Sequence, residues 1–138
     1  MRRFIPLLLA LAAAAVVVPQ VLGAASDAAP VVKWKTAKFG PVLATKGHLA
    51  LYTWKQEADK KVHCTGACAR AWPPLTIAKG TMVVKHVAGV MGTFGETMRP
   101  DGRTQVTYNG HPLYTYHGDS PTKILCNGVD GWFVVRAH

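Results

Sequence analysis

The sequence predicts a mainly β protein: a small antiparallel sheet domain of two related hairpin repeats, with one short helix near residues 65–72. Three observations support this fold class. Leu51–Gly66 and Leu113–Gly128 share six identical residues in sixteen aligned positions, and such similarity indicates one supersecondary unit used twice. From Val31 onward, short apolar runs alternate with glycine and proline, which is typical of strands. Asn109-Gly110 is a tight-turn sequence that favours a hairpin.

The first 25 residues have the parts of a secretory signal peptide. Arg2 and Arg3 precede the apolar run Phe4–Val18, and Gly23–Ala25 supplies a small-residue cleavage site. The alternative is an uncleaved membrane anchor, but the apolar run is short of the roughly 20 residues that span a bilayer. No cysteine lies directly after the run or at the cleavage site, so the acylation site of a lipoprotein is missing. We expect an exported chain, periplasmic or extracellular, with no transmembrane segment after cleavage.

Cleavage of residues 1–25 from a chain of 138 leaves 113 residues, enough for a single domain with a modest core. We expect an N-terminal tether and first residues at 26–38, followed by one β-rich domain at 39–138. The two repeats cover about 39–75 and 92–136.

The chain is strongly basic. It carries 16 lysines and arginines against 7 acidic residues, and loss of Arg2 and Arg3 with the signal leaves a net charge of +7. Such a domain is attracted to anionic surfaces, which favours an anionic envelope surface or a small envelope partner. Nucleic acid is disfavoured, because the lysines are scattered and export separates the protein from the genome. A solvated surface without a partner is the alternative.

In the first repeat we predict a hairpin, an exposed loop and a helix. Pro41–Thr45 and Leu49–Trp54 flank a Lys-Gly turn, and the polar run Gln56–Lys61 predicts the loop. Apolar residues at 3.6-residue spacing predict the helix, which Thr65 caps at its N-terminus. Pro73-Pro74 ends it, because proline lacks an amide donor.

In the second repeat the signals predict a three-stranded meander and a closing strand. A strand is also expected at Met82–Val84, in the less regular segment before the repeat. The meander and the closing strand are predicted at Thr93–Met98, Thr104–Tyr108, Pro112–Tyr116 and Trp132–Arg136.

Paired aromatic residues occur at the same place in both repeats. On a strand, Tyr52 and Trp54 share one face, and so do Tyr114 and Tyr116. They either pack in the core, as large side chains of a small sheet usually do, or form an exposed platform for a sugar or planar ligand. The acids that follow, Glu57 and Asp119, are interpreted as acceptors for turn amides or a tyrosine hydroxyl.

Three cysteines remain in an exported chain, where disulfides are favoured. Cys64 and Cys68 are spaced so that a bridge at the start of the helix is our leading interpretation, with a redox or metal role as the alternative. Cys126 occupies the repeat position of Cys64 without a counterpart of Cys68. It is the candidate for the unpaired thiol, unless it bonds to one of the other two or to a second chain.

A copper site is the alternative to a protein without cofactor. The sequence lacks the blue-copper arrangement, because no His or Met lies between Cys126 and His138. A looser site is conceivable if the hairpins converge, built from His63, Cys64, His111 and His117. No catalytic residue is predicted, since there is no Gly-x-Ser-x-Gly elbow and no phosphate-binding loop.

Several strings in the chain together resemble a known family. They are CTGAC-x-x-x-WPPL, VTYNGHPLY and the two motifs Tyr52-Thr-Trp54-Lys-Gln-Glu57 and Tyr114-Thr-Tyr116-His-Gly-Asp119. They resemble bacterial secreted repeats of unknown function, described as predicted lipoproteins with a Tyr-x-aromatic-x-x-Asp motif. The first motif departs from the pattern by ending in Glu57. The resemblance implies export and a repeat architecture, and it implies no activity.

The sequence thus favours an exported, non-enzymatic domain that associates with the envelope or binds an unknown ligand. The alternative is a periplasmic metal protein of copper type, or a redox accessory protein, that uses Cys and His residues. A hydrolase with acids in a cleft between the repeats is a third, weaker hypothesis.

Overall fold

The structure, a computed structural model, describes residues 27–28 and 30–138, so the predicted signal peptide lies outside the described residues. Strands dominate, as predicted. They are β1 (Asp27–Ala28), β2 (Val31–Thr36), β3 (Gly40–Thr45), β4 (Tyr52–Trp54), β5 (Thr76–Ile77), β6 (Met82–Val83), β7 (Phe94–Met98), β8 (Thr104–Tyr108), β9 (His111–Pro112) and β10 (Trp132–Val134), with one helix α1 (Ala67–Ala71) and a 3-10 turn at Lys55–Glu57.

The first repeat is built on the hairpin of β2 and β3, which pair along their full length from Val31–Thr45 to Thr36–Gly40. Sheet structure is therefore present inside the segment expected to hold the tether and first residues, both in β2 and in β1, which pairs in parallel with β6. The hairpin predicted after β3 forms only in part. Ala44 bridges Ala50 across the turn, but β4 then leaves β3 and pairs with β10.

The second repeat has the same arrangement of strands. Strands β7 and β8 pair along their full length, and β9 returns along the other edge of β8. The predicted meander is thus present, although its third strand stops at Pro112 and the chain crosses to the first repeat at Tyr114.

Each repeat donates its closing strand to the other repeat. After α1, strand β5 of the first repeat pairs with β8, and β10 of the second repeat pairs with β4. At the centre, Tyr52 and Tyr114 exchange two backbone hydrogen bonds of 2.8 and 3.0 Å. The two repeats are therefore related by an approximate two-fold axis through this tyrosine pair.

Two clusters of buried side chains lie on opposite faces of these central strands, because successive residues of a strand point to opposite sides. Leu51 and Leu113 enter an aliphatic cluster, whereas their neighbours Tyr52 and Tyr114 enter an aromatic one. The remaining buried members of the aliphatic cluster are Val31, Leu43, Val90, Phe94, Val106, Val135 and Ala137. Those of the aromatic cluster are Val42, Ala50, Cys64, Trp72, Trp132 and Val134.

Two local predictions for the first repeat need correction. Gly66, not Thr65, is the N-cap of α1, and no side chain caps the helix. The Gln56–Lys61 loop is exposed as predicted except at Glu57, which is buried. None of the described helices is long and apolar enough to cross a membrane.

Candidate functional site

The tyrosines and acids of the repeated motif bond to each other across the two repeats. The Tyr52 hydroxyl donates to Asp119 Oδ2 at 2.6 Å, and the Tyr114 hydroxyl donates to Glu57 Oε1 at 2.8 Å. Each pair therefore joins the tyrosine of one repeat to the carboxylate of the other. The sequence spacing suggested acceptors of this kind, but it did not indicate the exchange between repeats.

Both carboxylates also hold the backbone of the loop that follows them. Glu57 Oε1 accepts the amides of His63 and Cys64 at 2.8 and 3.1 Å. Asp119 Oδ1 accepts the amide of Leu125 at 2.9 Å, and Leu125 is the repeat equivalent of His63. Glutamate and aspartate thus perform the same task, so the departure at Glu57 from the family pattern leaves the contact intact.

The environment keeps both tyrosines protonated. Burial, followed by the hydrogen bond to Asp119, raises the pKa of Tyr52 well above its ordinary value. Burial and the hydrogen bond to Glu57 do the same to the pKa of Tyr114. A neutral, fully buried phenol is a hydrogen-bond donor and not a nucleophile, so this arrangement favours architecture over acid–base chemistry.

The aromatic side chains pack into a stack with the same approximate symmetry. The rings of Trp72 and Trp132 lie parallel with centroids 4.0 Å apart. Trp54 stacks on Trp132 at 5.0 Å, and Tyr116 lies on Trp72 at 4.6 Å. Trp54 and Tyr116 are half-buried. The predicted motif aromatics are therefore brought together in one cluster instead of lining an open platform.

A buried arginine supports this cluster, and the sequence analysis missed it. Arg99 is 2% exposed and donates to Gln105 Oε1 at 2.6 Å and to the Cys64 carbonyl at 2.8 Å. Gln105 in turn donates to the Leu113 carbonyl at 2.7 Å. Arg99 directly follows the predicted strand Thr93–Met98, and nothing in the neighbouring sequence indicates that its side chain is buried.

The cysteines form one bridge. Cys64 and Cys68 are disulfide-bonded with a Cα–Cα distance of 5.2 Å, as the leading interpretation expected. Cys126 is a free, half-buried thiol. Its side chain lies beside Tyr116 and raises the pKa of the Tyr116 hydroxyl, chiefly through hydrogen bonding.

The four candidate metal ligands are not assembled into one site. His63 Nε2 lies 2.8 Å from Asp59 Oδ2 at the surface, and the sulfur of Cys64 is used in the disulfide. His111 lies in β9, and the ring of His117 packs against Tyr116. Within residues 27–28 and 30–138, no group of three or more His, Cys, Asp or Glu side chains is placed to hold a metal ion.

Comparison with known families agrees with this duplicated geometry. Residues 33–76 and 96–136 each match a family described as a secreted repeat of unknown function, and together they cover well over half of the chain. The chain belongs to this family of secreted repeats. No curated protein and no solved structure matches the chain significantly.

The two matches coincide with the two repeats seen in the fold. Each match of the secreted repeat contains part of the first hairpin strand, the whole tyrosine motif and at least the start of the strand that pairs with the other repeat. The resemblance noted from the sequence is thereby confirmed.

Proposed function

We propose that this secreted repeat protein is a non-enzymatic binding domain that associates with the anionic surface of the cell envelope, on its periplasmic or extracellular side. The observation that carries the proposal is the exposure of nearly all the basic side chains of a strongly basic chain.

Nearly all the basic side chains are exposed to solvent, whereas two of the acidic side chains accept hydrogen bonds from tyrosines. Every lysine among residues 30–138 is exposed, and of the arginines there only Arg99 is buried. Glu57 is buried and Asp119 is half-buried, and both are bonded to tyrosines. Asp101 is paired with Arg103 at 2.8 Å. The buried Arg99 and the buried Glu57 offset each other, so the exposed surface keeps the strongly positive net charge of the composition, which favours attraction to anionic polymers or lipid headgroups.

The non-enzymatic part of the proposal is supported by the tasks of the motif acids. Glu57 and Asp119 each accept a tyrosine hydroxyl and at least one backbone amide. Glu57 Oε2 has no hydrogen-bond partner among the described residues, but it is buried with the rest of the side chain and is therefore closed to a substrate from solvent. The chemistry of the motif is thus accounted for by holding the two repeats together.

Vesicle binding tests the proposal. Residues 26–138 should sediment with vesicles of phosphatidylglycerol and phosphatidylcholine, and not with phosphatidylcholine alone. Binding should weaken as salt is raised, because the screening length falls from about 10 Å at 0.1 M to about 3 Å at 1 M. Equal binding to both kinds of vesicle, or binding to neither, would contradict the proposal.

The copper or redox alternative needs a different test. Its support is reduced because Cys64 is bonded to Cys68 and, among the described residues, no three His, Cys, Asp or Glu side chains are placed to hold a metal ion. Metal analysis of protein purified without a histidine tag distinguishes the two hypotheses. Stoichiometric copper, zinc or iron would favour the alternative.

A further inference from the structure

A cavity opens between the two repeats, and three of its lining residues, Trp34, Phe39 and Ile124, pack against the aromatic cluster. Its volume is about 410 Å³, at the lower end of the range for small-molecule sites. One wall is the turn between β2 and β3, and the other is the loop that Asp119 holds. The lining residues are Trp34–Phe39 and Thr122–Leu125. We call it the basic cavity.

Positive charge is concentrated at the basic cavity. Lys35, Lys38 and Lys123 line it, and no acidic residue does. Two cations lie near the Phe39 ring, since Lys38 Nζ is 5.2 Å and the Arg136 guanidinium 5.3 Å from its centroid. Like charges gathered without a carboxylate repel one another, so a bound anion would lower the energy of this region.

The same cavity offers apolar surface beside the lysines. Trp34, Phe39, Ile124 and Leu125 contribute to the lining, and Leu125 is 54% exposed. The Trp34 ring is held by stacking on His48, with centroids 5.5 Å apart. Cations at the rim of an exposed apolar surface are typical of contact with a membrane interface.

Both walls are held in place before any ligand binds. Thr36 Oγ1 donates to the Gly40 carbonyl at 2.9 Å and accepts the Phe39 amide at 3.0 Å, which fixes the β2–β3 turn. On the other side, Asp119 accepts the Leu125 amide at 2.9 Å. Two backbone hydrogen bonds between Ser120 and Lys123 close the intervening turn. A preformed site loses less entropy on binding.

We infer that the basic cavity binds one anionic phospholipid, with the headgroup phosphate against Lys35, Lys38 and Lys123 and the first methylenes of the acyl chain against Trp34, Phe39 and Leu125. The volume suits part of a lipid and not a whole one, so the rest of the acyl chain stays in the membrane. This inference rests on the proposed association with an anionic surface and names the lipid site within it.

The test compares two variants with the same net charge. Lys38→Gln/Lys123→Gln removes two cations from the basic cavity, and Lys46→Gln/Lys79→Gln removes two exposed lysines that do not line it. Binding to vesicles containing phosphatidylglycerol should fall at least about tenfold for the first variant and less than about threefold for the second. Equal losses would overturn the lipid site while leaving the general association with anionic surfaces intact.

A second measurement uses the unchanged protein. Dihexanoyl-phosphatidylglycerol below its micelle concentration should bind with a stoichiometry of one and shift the amide signals of residues 34–39 and 122–125. Glycerol phosphate, which has no acyl chain, should bind at least about tenfold more weakly, and Leu125→Ser should reduce the difference. Equal binding of the two ligands, or shifts confined to other residues, would overturn the inference. If no vesicle binding is seen at all, the proposed function itself fails.

Discussion

At the scale of single residues, each motif tyrosine depends on the carboxylate of the opposite repeat. Tyr114 and Tyr52 are buried, and their hydroxyls donate to Glu57 and Asp119. Loss of a hydrogen bond to a buried charged group lowers stability, even though both carboxylates keep their backbone amide donors. The stability of the whole domain is therefore sensitive to single atoms at these positions.

Tyr114→Phe should lower the free energy of unfolding by about 1–3 kcal/mol, because buried Glu57 Oε1 loses a donor. Urea unfolding followed by tryptophan fluorescence measures the loss. Tyr108→Phe is the matched control. Its hydroxyl donates to the Met91 carbonyl in an exposed contact, so its effect should be smaller. Equal stability of Tyr114→Phe and the unchanged protein would contradict the role given to the pair.

The raised pKa of Tyr52 and Tyr114 predicts a loss of stability in alkali. An unfolded tyrosine ionises near pH 10, whereas burial keeps these two protonated in the folded state. Above pH about 10 the unfolded chain has lost protons that the folded chain retains. The free energy of unfolding should then fall by up to about 1.4 kcal/mol per pH unit for each tyrosine, and be unaffected by them below that pH.

Denaturant unfolding at a series of pH values measures this loss of stability in alkali. Ultraviolet absorbance of the same samples records how much tyrosinate has formed. In Tyr114→Phe the alkaline slope should be reduced. Two tyrosines of the unchanged protein should resist ionisation until the protein unfolds. Full titration of all tyrosines in the folded state would show that burial does not protect them.

At the scale of elements, helix α1 is too short to be stable without contacts to the rest of the fold. It has only five residues, Ala67–Ala71, and its Gly66 N-cap provides no side-chain hydrogen bond. Isolated helices of this length are unstable in water. The Cys64–Cys68 bond and the packing of Trp72 against Trp132 therefore hold it in place.

Reduction of the Cys64–Cys68 bond should lower the free energy of unfolding by about 2 kcal/mol, the chain-entropy estimate for so short a loop. Urea unfolding with and without dithiothreitol measures it. Cys126→Ser should respond to the reductant as the unchanged protein does, because Cys126 is not part of the bond. In the oxidised, unfolded protein, thiol labelling should modify one cysteine. A stability independent of reductant would contradict this account.

At the scale of the whole molecule, exchange of the closing strands makes the two repeats one cooperative unit. Strand β5 belongs by sequence to the first repeat and by pairing to the second, and β10 does the reverse. Neither repeat can complete its own sheet. We therefore expect unfolding in a single transition.

Cleavage between the repeats should leave them associated. A specific protease site inserted in the exposed segment 78–80 would cut the chain without removing any strand pairing. The two fragments should elute together in gel filtration and retain near-ultraviolet circular dichroism. An inserted site that the protease cannot cut is the control. Fragments that separate under native conditions would show that strand exchange does not hold the halves together.

Patterns local to the chain were sufficient for much of the fold. Alternating apolar runs and tight-turn sequences led to the strands, the internal similarity led to the repeats, and short spacing led to the Cys64–Cys68 bond. The predictions were wrong where a tertiary contact changed the environment that the local sequence pattern indicates. The polar run Gln56–Lys61 predicts exposure, but Glu57 is buried because the Tyr114 hydroxyl and two loop amides satisfy it.

By itself the sequence determined the strand content, the duplication, the basic charge and the residues of the motif, because each depends on composition or on neighbours along the chain. Only the tertiary structure decided that the tyrosines bond across repeats, that Arg99 is buried and that residues 34–39 meet residues 122–125 around a cavity. These contacts join residues that are far apart in the chain. They form only when the two repeats lie against each other, and no local pattern records that arrangement.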